Sequence, residues 1–545
     1  MLKAVATLAL LLGASILAPA PVAQAATLVV GPSGFPDLAS ALAAAKAGDE
    51  IVVSPGAYAG GESVDLAGLT VRAAQPSAPP VLAAPAGGFA LRVAAPGVTL
   101  QGLRLAGGSP GLLADHADGL RILDVTSEGA ATNGVEARFS ANLTVENLVA
   151  TGAGVNGLRL ASSPHAAISS SRFAGDRRGV HVYASPDLAA TGLNASGNAE
   201  DGIVVESSPG ARLSGIDATG GVVGVWAFAS PGALLDRIHV WNVSGDALVL
   251  EGASGDVASN LTLTGAGVNA LRVRNATGPS VSDATLAGSL RGLHVETSSS
   301  VAVARARVSS SSEHGAVLEG VDGATLQNVT VEGARRAFWV IGSSGVRLVD
   351  VAARNATEDL LNATGSPGIV AQRSAFVTSA GNGVRLLDSP GFTLSDGAIL
   401  DTRCDVFFEG SSAGASAARS TLMSTNRPAA LSTDLPAGSL VACDKAAQQL
   451  ARAQSLSGAS CDATRWHFVV TGIADGSAPG SVEVVWNDGS SALATLAGTP
   501  GSTAHYETTQ HLFGAVDRAS ALLPASWSGN FNLSSAPSGC GGARA

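Results

Sequence analysis

Gly157-Leu158-Arg159-Leu160 is followed 22 residues on by Gly179-Val180-His181-Val182, and 23 residues later by Gly202-Ile203-Val204-Val205. Each stretch is a small residue leading an apolar–variable–apolar run. Strict alternation is the signature of a strand with one face in and one face out. Working outward, the same motif opens at Gly88, Gly111 and Gly134, and then at Gly224, Ala247, Ala270, Gly292, Gly315, Ala337, Asp359, Gly383 and Asp405. Steps are 22 or 23 residues, with one of 24 between Asp359 and Gly383. A second alternating strand precedes each motif, as in Leu143-Thr144-Val145, and Gly, Asn, Asp and Ser fill the corners, where positive φ costs least.

No segment of the array has the 3.6-residue period of a helix, and the leucine-rich signature is missing, so helical and leucine-rich solenoids are excluded. What remains is an all-β fold: a right-handed, single-stranded parallel β-helix of about 15 coils over residues 87–427. Each coil buries its inner face only against its neighbours, so stability accumulates along the stack. Val182, Val205, Leu250, Val273 and Val295 are expected inside. Ahead of the array, residues 26–86 form a cap and the first coils. Pro36 to Lys46 reads as a short amphipathic helix covering the open end of the stack, an edge that otherwise invites pairing with another chain.

That helix leads into Ala47-Gly48-Asp49-Glu50-Ile51-Val52-Val53-Ser54-Pro55-Gly56-Ala57-Tyr58-Ala59-Gly60. The segment, with the repeat behind it, resembles secreted parallel β-helix repeat proteins of the pectate-lyase-like superfamily, and is closest to NosD-like proteins. The resemblance covers roughly residues 27 to 427. It implies the fold but no single activity, because the superfamily holds lyases, hydrolases, epimerases and proteins without catalysis. Its activity motifs are missing here: the Asn-Thr-Asp and Gly-His-Gly of polygalacturonases, the Asp-Pro-His of alginate epimerases (Ser163-Pro164-His165 lacks the acid), and the clustered calcium-binding acids of pectate lyases. The copper handling that NosD-like proteins suggest finds no support in two methionines and nine histidines standing singly.

Residues 1–25 read as a secretory signal peptide: Lys3, an apolar run from Ala4 to Leu17, and Ala23-Gln24-Ala25 before the cut. The expected location is the cell exterior or surface, with no membrane span after cleavage. A net charge of −11 argues against nucleic acid as a partner. Cys404, Cys443, Cys461 and Cys540 are expected in disulfides, in one of three pairings, with Cys404–Cys443 and Cys461–Cys540 preferred. Half of the eighteen asparagines lie in Asn-x-Ser/Thr sequons: Asn142, Asn194, Asn242, Asn260, Asn275, Asn328, Asn355, Asn362 and Asn532. They are candidate glycosylation sites, and polar corner composition is the competing explanation. Beyond the array, residues 428–464 are a linker with a possible short helix from Asp444 to Arg452. Residues 465–545 alternate as a small β-sandwich-like domain, either a tethering module or a terminal cap.

Two outward columns can be read off the repeat. The first runs Glu136, Arg159, His181, Val204, Trp226, Val249, Arg272, His294, Val317, Trp339, Leu361, Arg385, Phe407; the second Arg138, Ala161, Tyr183, Glu206, Phe228, Glu251, Arg274, Glu296, Glu319, Ile341, Ala363, Leu387, Glu409. His181, Tyr183, Trp226 and Phe228 should meet around Glu206. Flat rings stack on the apolar faces of sugar rings while a carboxylate accepts hydroxyl bonds, so these five residues form the candidate carbohydrate-binding site. Glu206, Glu251, Glu296 and Glu319 are the candidate catalytic acids, since coil spacing places pairs of them near glycosidase distances. The alternation Glu251, Arg274, Glu296 is equally an ion-pair ladder. No metal site and no cofactor is expected. The function expected is binding of an extracellular polysaccharide or other surface polymer along one face. The alternatives are a polysaccharide lyase or glycosidase, and a structural or adhesive protein.

Overall fold

The computed structural model describes residues 25–252, 254–412, 414–424, 431–435, 448–457, 460–473, 478–488, 490–512, 514–524 and 527–537. Residues 1–24 of the expected signal peptide, Cys443 and Cys540 lie outside them. Sixteen strands, from Glu62–Val64 to Val406–Glu409, form one parallel sheet in which each strand pairs with its equivalent a coil away. Leu158 and Leu160 lie beside Val180 and Val182, which lie beside Ile203 and Val205. The alternation predicts which side chains enter the core: Val182, Val205, Leu250, Val273 and Val295 are all fully buried. The chain is thus a parallel β-helix of about 17 turns, the fifteen counted from the repeat being preceded by the first coils expected in residues 26–86. The additional strand, Glu62–Val64, pairs with Leu91–Val93 across 29 residues, a step too long for the repeat to show.

The remaining walls of the coil form a second sheet. Between Ala189–Ser196 and Thr325–Glu332 its two strands per coil merge into single strands of eight residues, bent at a left-handed residue such as Arg237, Asn260 or Asp283. Such corners recur along the stack and account for much of the sequon excess. Asn142, Asn242, Asn260, Asn275, Asn328 and Asn355 all have positive φ, the conformation that Asn tolerates better than other non-glycine residues. Asn355 is also buried, as is Asn362.

The N-terminal cap is the expected one, with tighter ends. The helix spans Leu38–Ala44 and buries Leu38 and Ala41, and the Asp37 carboxylate accepts the Ser40 N–H at 2.8 Å as N-cap. Strand Thr27–Val30 pairs with Glu50–Val53 and so joins the first turn to the stack.

Two register readings are corrected. Leu361 pairs with Phe338 and points inward, fully buried; Asn362 and Thr364, not Leu361 and Ala363, continue the outward columns beside Trp339 and Ile341. The motif there begins at Leu360, and the adjoining steps of 22 and 24 residues become two of 23. Second, Gln448–Arg452 is a strand paired with Val516–Pro524, not a helix.

The C-terminal region is one eight-stranded, mostly antiparallel sheet rather than a sandwich. It curls around its own core of Trp466, Phe468, Val482, Trp486, Tyr506 and Phe531. Its other face docks on the second sheet of the late coils. Thr378 donates to Glu483 at 2.6 Å, Ser481 to Asp401 at 2.9 Å, and Arg518 pairs with Glu332 at 2.7 Å. Cys404 and Cys461 are both disulfide-bonded.

Candidate functional site

The outward face of the sixteen-stranded sheet carries the two columns side by side. Strand Arg178–Tyr183 presents His181 and Tyr183, Asp201–Glu206 presents Val204 and Glu206, and Val223–Phe228 presents Trp226 and Phe228. Register pairs Tyr183 with Glu206 and Glu206 with Phe228, and likewise His181 with Val204 and Val204 with Trp226. The structure therefore brings the five predicted residues onto one face within three coils. Tyr183 is the most open, at 42% exposure. Trp226 and Phe228 lie against each other, ring centroids 5.9 Å apart. The indole N–H of Trp226 donates to Glu251 at 3.0 Å, which fixes the ring along the stack. His181 Nε2 lies 3.2 Å from Glu206 Oε2; burial pushes the imidazole pKa down, against the pull of that carboxylate.

The four candidate acids are differently engaged. Glu206 is held by His181. Glu251 is buried and takes Arg274 at 2.5 Å as well as the Trp226 indole. Glu296 is gripped by Arg272, at 2.9 Å from Nε and 2.6 Å from Nη2. The sign alternation is thus not a continuous ladder: Arg274 serves Glu251, while Glu296 draws its cation from the other column. Glu319 is exposed and stands directly beside Glu296 in the register.

Sequence reasoning left His294 as a single histidine, and the absence of a metal site was inferred from such isolation. The structure places it against two carboxylates. His294 Nε2 is 3.5 Å from Glu319 Oε2 and 3.9 Å from Glu296 Oε2, and burial pushes its pKa down. The signal was available: His294 and Glu296 are two apart on one strand, and Glu319 is one repeat after Glu296. Further along, Trp339 sits between His314, at 4.6 Å between ring centroids, and the Arg336 guanidinium. Burial pushes His314 down to about 4, aided by the nearby arginines.

This geometry defines the class as a right-handed parallel β-helix with an aromatic and acidic outward face. Residues 110–216 and 291–429 match the family described as "Right handed beta helix region". No curated protein sequence matches the chain. Similar solved structures include an alginate lyase from Paenibacillus sp. str. FPU-7, with 17% identity over 71% of this chain and 98% of that one, TM-score 0.28. The pre-mature bacteriophage phi29 gene product 12 is 13% identical over 86% and 89%, TM-score 0.45. The catalytic unit of a GH87 alpha-1,3-glucanase from Streptomyces thermodiastaticus strain HF3-3 is 15% identical over 61% and 66%, TM-score 0.36. At these identities the likeness is one of coil architecture alone.

Proposed function

We propose that this chain is an extracellular β-helix protein that binds a polysaccharide along the outward face of its sixteen-stranded sheet. The observation that carries the proposal is the row Tyr183, Glu206, Phe228 with Trp226 alongside: aromatic rings two coils apart, about 10 Å by strand spacing, separated by a carboxylate. Rings spaced along a straight stack suit a linear polymer better than a compact ligand. The Trp226 indole is held in place by Glu251, so little rotamer freedom is lost on binding. Binding is favoured over hydrolysis because Glu206, Glu251 and Glu296 each already hold a histidine, arginine or indole partner. The extracellular assignment rests on the signal-peptide pattern.

The test is a glycan array of uronic-acid and neutral polymers, followed by calorimetry on any hit. Trp226→Ala should weaken binding about tenfold or more, an order expected for loss of one stacking ring, and Tyr183→Ala should also weaken it. Glu206→Gln should weaken it less, since the amide still hydrogen-bonds. No glycan bound by the wild type, or equal binding by Trp226→Ala, would sink the proposal and point to a protein contact.

A further inference from the structure

We infer that His294, Glu296 and Glu319 form a binding site for a divalent transition-metal cation of the zinc type on the same sheet face. The three side chains come from two adjacent strands. His294 and Glu296 are alternate residues of Arg291–Glu296 and share its outward face, and Glu319 ends the neighbouring strand His314–Glu319. Backbone register, not a loop, sets their separation. One ligand atom from each lies within 4.8 Å of the others. The His294 Nε2 approaches, 3.5 Å to Glu319 and 3.9 Å to Glu296, are close to the roughly 3.4 Å between donors around a tetrahedral ion with bonds near 2.05 Å.

The second observation comes from His294 itself. It is 7% exposed, and neither ring nitrogen has a hydrogen-bond partner. Buried imidazoles ordinarily satisfy both nitrogens, and one aimed at two carboxylates without a hydrogen bond to either is a group lacking its partner. Burial also favours the neutral ring, the form that ligates.

The surroundings prepare the carboxylates for one role. Arg272 occupies Glu296 Oε1, so that Oε2 is the oxygen left facing His294. This is the outer contact that orients a metal ligand. Glu319 is the open wall, its side chain 54% exposed, so an ion can enter and keep a water or a ligand oxygen in its remaining position. One nitrogen and two carboxylate donors suit zinc; calcium takes six to eight oxygens and is a poor fit for this set. The site is independent of the sugar reading, lying three coils along the column from Phe228.

The experiment is equilibrium dialysis and calorimetry of the chelator-treated full chain with Zn²⁺, alongside Co²⁺ absorption spectroscopy. The expected result is one ion per chain, a visible Co²⁺ band of a low-coordinate nitrogen–oxygen site, and a Zn²⁺-dependent rise in Tm. Glu319→Gln removes an exposed ligand and should leave the metal-free Tm unchanged while weakening Zn²⁺ binding at least tenfold. His294→Gln should abolish the Co²⁺ band. Absence of stoichiometric binding would overturn the assignment. So would binding retained in both variants, which would move the ion elsewhere, for instance to the His467–His505 pair of the C-terminal sheet, 2.9 Å apart.

Discussion

Asp176→Asn should make the protein more stable, by an amount that grows as pH rises from about 4 to about 7. Asp176 is 2% exposed at a corner of the stack, where its Oδ1 accepts the Ala153 N–H at 2.7 Å and its Oδ2 has no partner. That second oxygen lies over the bare Cα of Gly157, where a Cβ would come within 2.5 Å of it. Loss of water raises its pKa from 3.8 to about 7. Between those values the folded chain holds a proton that the unfolded chain releases, so stability falls as pH rises from about 4 to about 7. A rise of about three pH units at about 1.4 kcal/mol each puts the loss near 4 kcal/mol at pH 8. One coil on, the equivalent residue is Asn198, whose Oδ1 accepts the Asp176 N–H at 3.1 Å while its Nδ2 donates to the Phe173 carbonyl at 3.3 Å. An amide at 176 can repeat that arrangement. Thermal melts of wild type and variant from pH 4 to 8 should coincide near pH 4 and diverge by several degrees at pH 8, with the variant higher. Parallel curves, or a variant less stable at pH 8, would refute the assignment of a desolvated carboxyl. Asp256, raised to about 6 by the same cause, keeps part of the slope in the variant.

Four further outcomes follow from the structure. Val205→Asp places an unpaired charge at a fully buried position and should abolish the cooperative melt or secretion of soluble protein; wild-type expression and Tm would mean the inward register is wrong. Trp226→Ala should lower stability by no more than about 1 kcal/mol, because Glu251 keeps Arg274 when the indole is lost; urea titration measures it. Asp283, held by the Arg305 guanidinium at about 2, and Asp350 and Asp396, held down by Arg373 and Arg419, should make the stack lose stability as pH falls from about 4 toward 2, an effect that high salt diminishes. Asp401, pushed up by burial and by the Glu483 carboxylate, should dock better as an amide. Asp401→Asn is therefore expected to slow proteolytic release of the C-terminal sheet at pH 8, and faster release would contradict it.

Much of the fold was legible because one period governs it. Inward residues such as Val205 and Leu250 follow from alternation alone, and the two outward columns follow from counting one coil onward. The reading broke where spacing left the period. Glu62–Val64 falls in the segment expected to hold the first coils but could not be counted in the repeat, because 29 residues separate it from its partner strand, and Leu361 was turned outward because the small-residue lead at Asp359 sits one position early. Pairings across columns were harder. Nothing in a linear repeat says that Arg272, not Arg274, holds Glu296, since side chains of similar reach compete and local packing decides. His294 was passed over because its partners stand in the other column, although the two-residue and one-repeat spacings that join them are in the sequence. In the C-terminal region the alternating strands were visible, but whether they close as two sheets or curl as one depends on long-range pairings such as Trp466 with Thr508.

One buried feature of the corners bears on how such a stack is made. The backbone N–H of Ala117 is accepted by the Ser140 hydroxyl at 3.0 Å, that of Ser140 by Ser163 at 3.2 Å, then Ser163 by Ser185, Ser185 by Ser208 and Ser208 by Ser230; a second run links Val321 through Ser343, Ser366 and Ser389 to Ser412. Every one of these bonds points the same way: a coil's amide is completed by the coil that follows it. A chain emerging N-terminus first therefore always ends in a single unfinished rung, and the next coil to arrive carries the hydroxyl that closes it. Along each run, growth from the N-terminal cap would leave one serine-capped amide open at the growing end, whereas coils nucleated separately would each leave one.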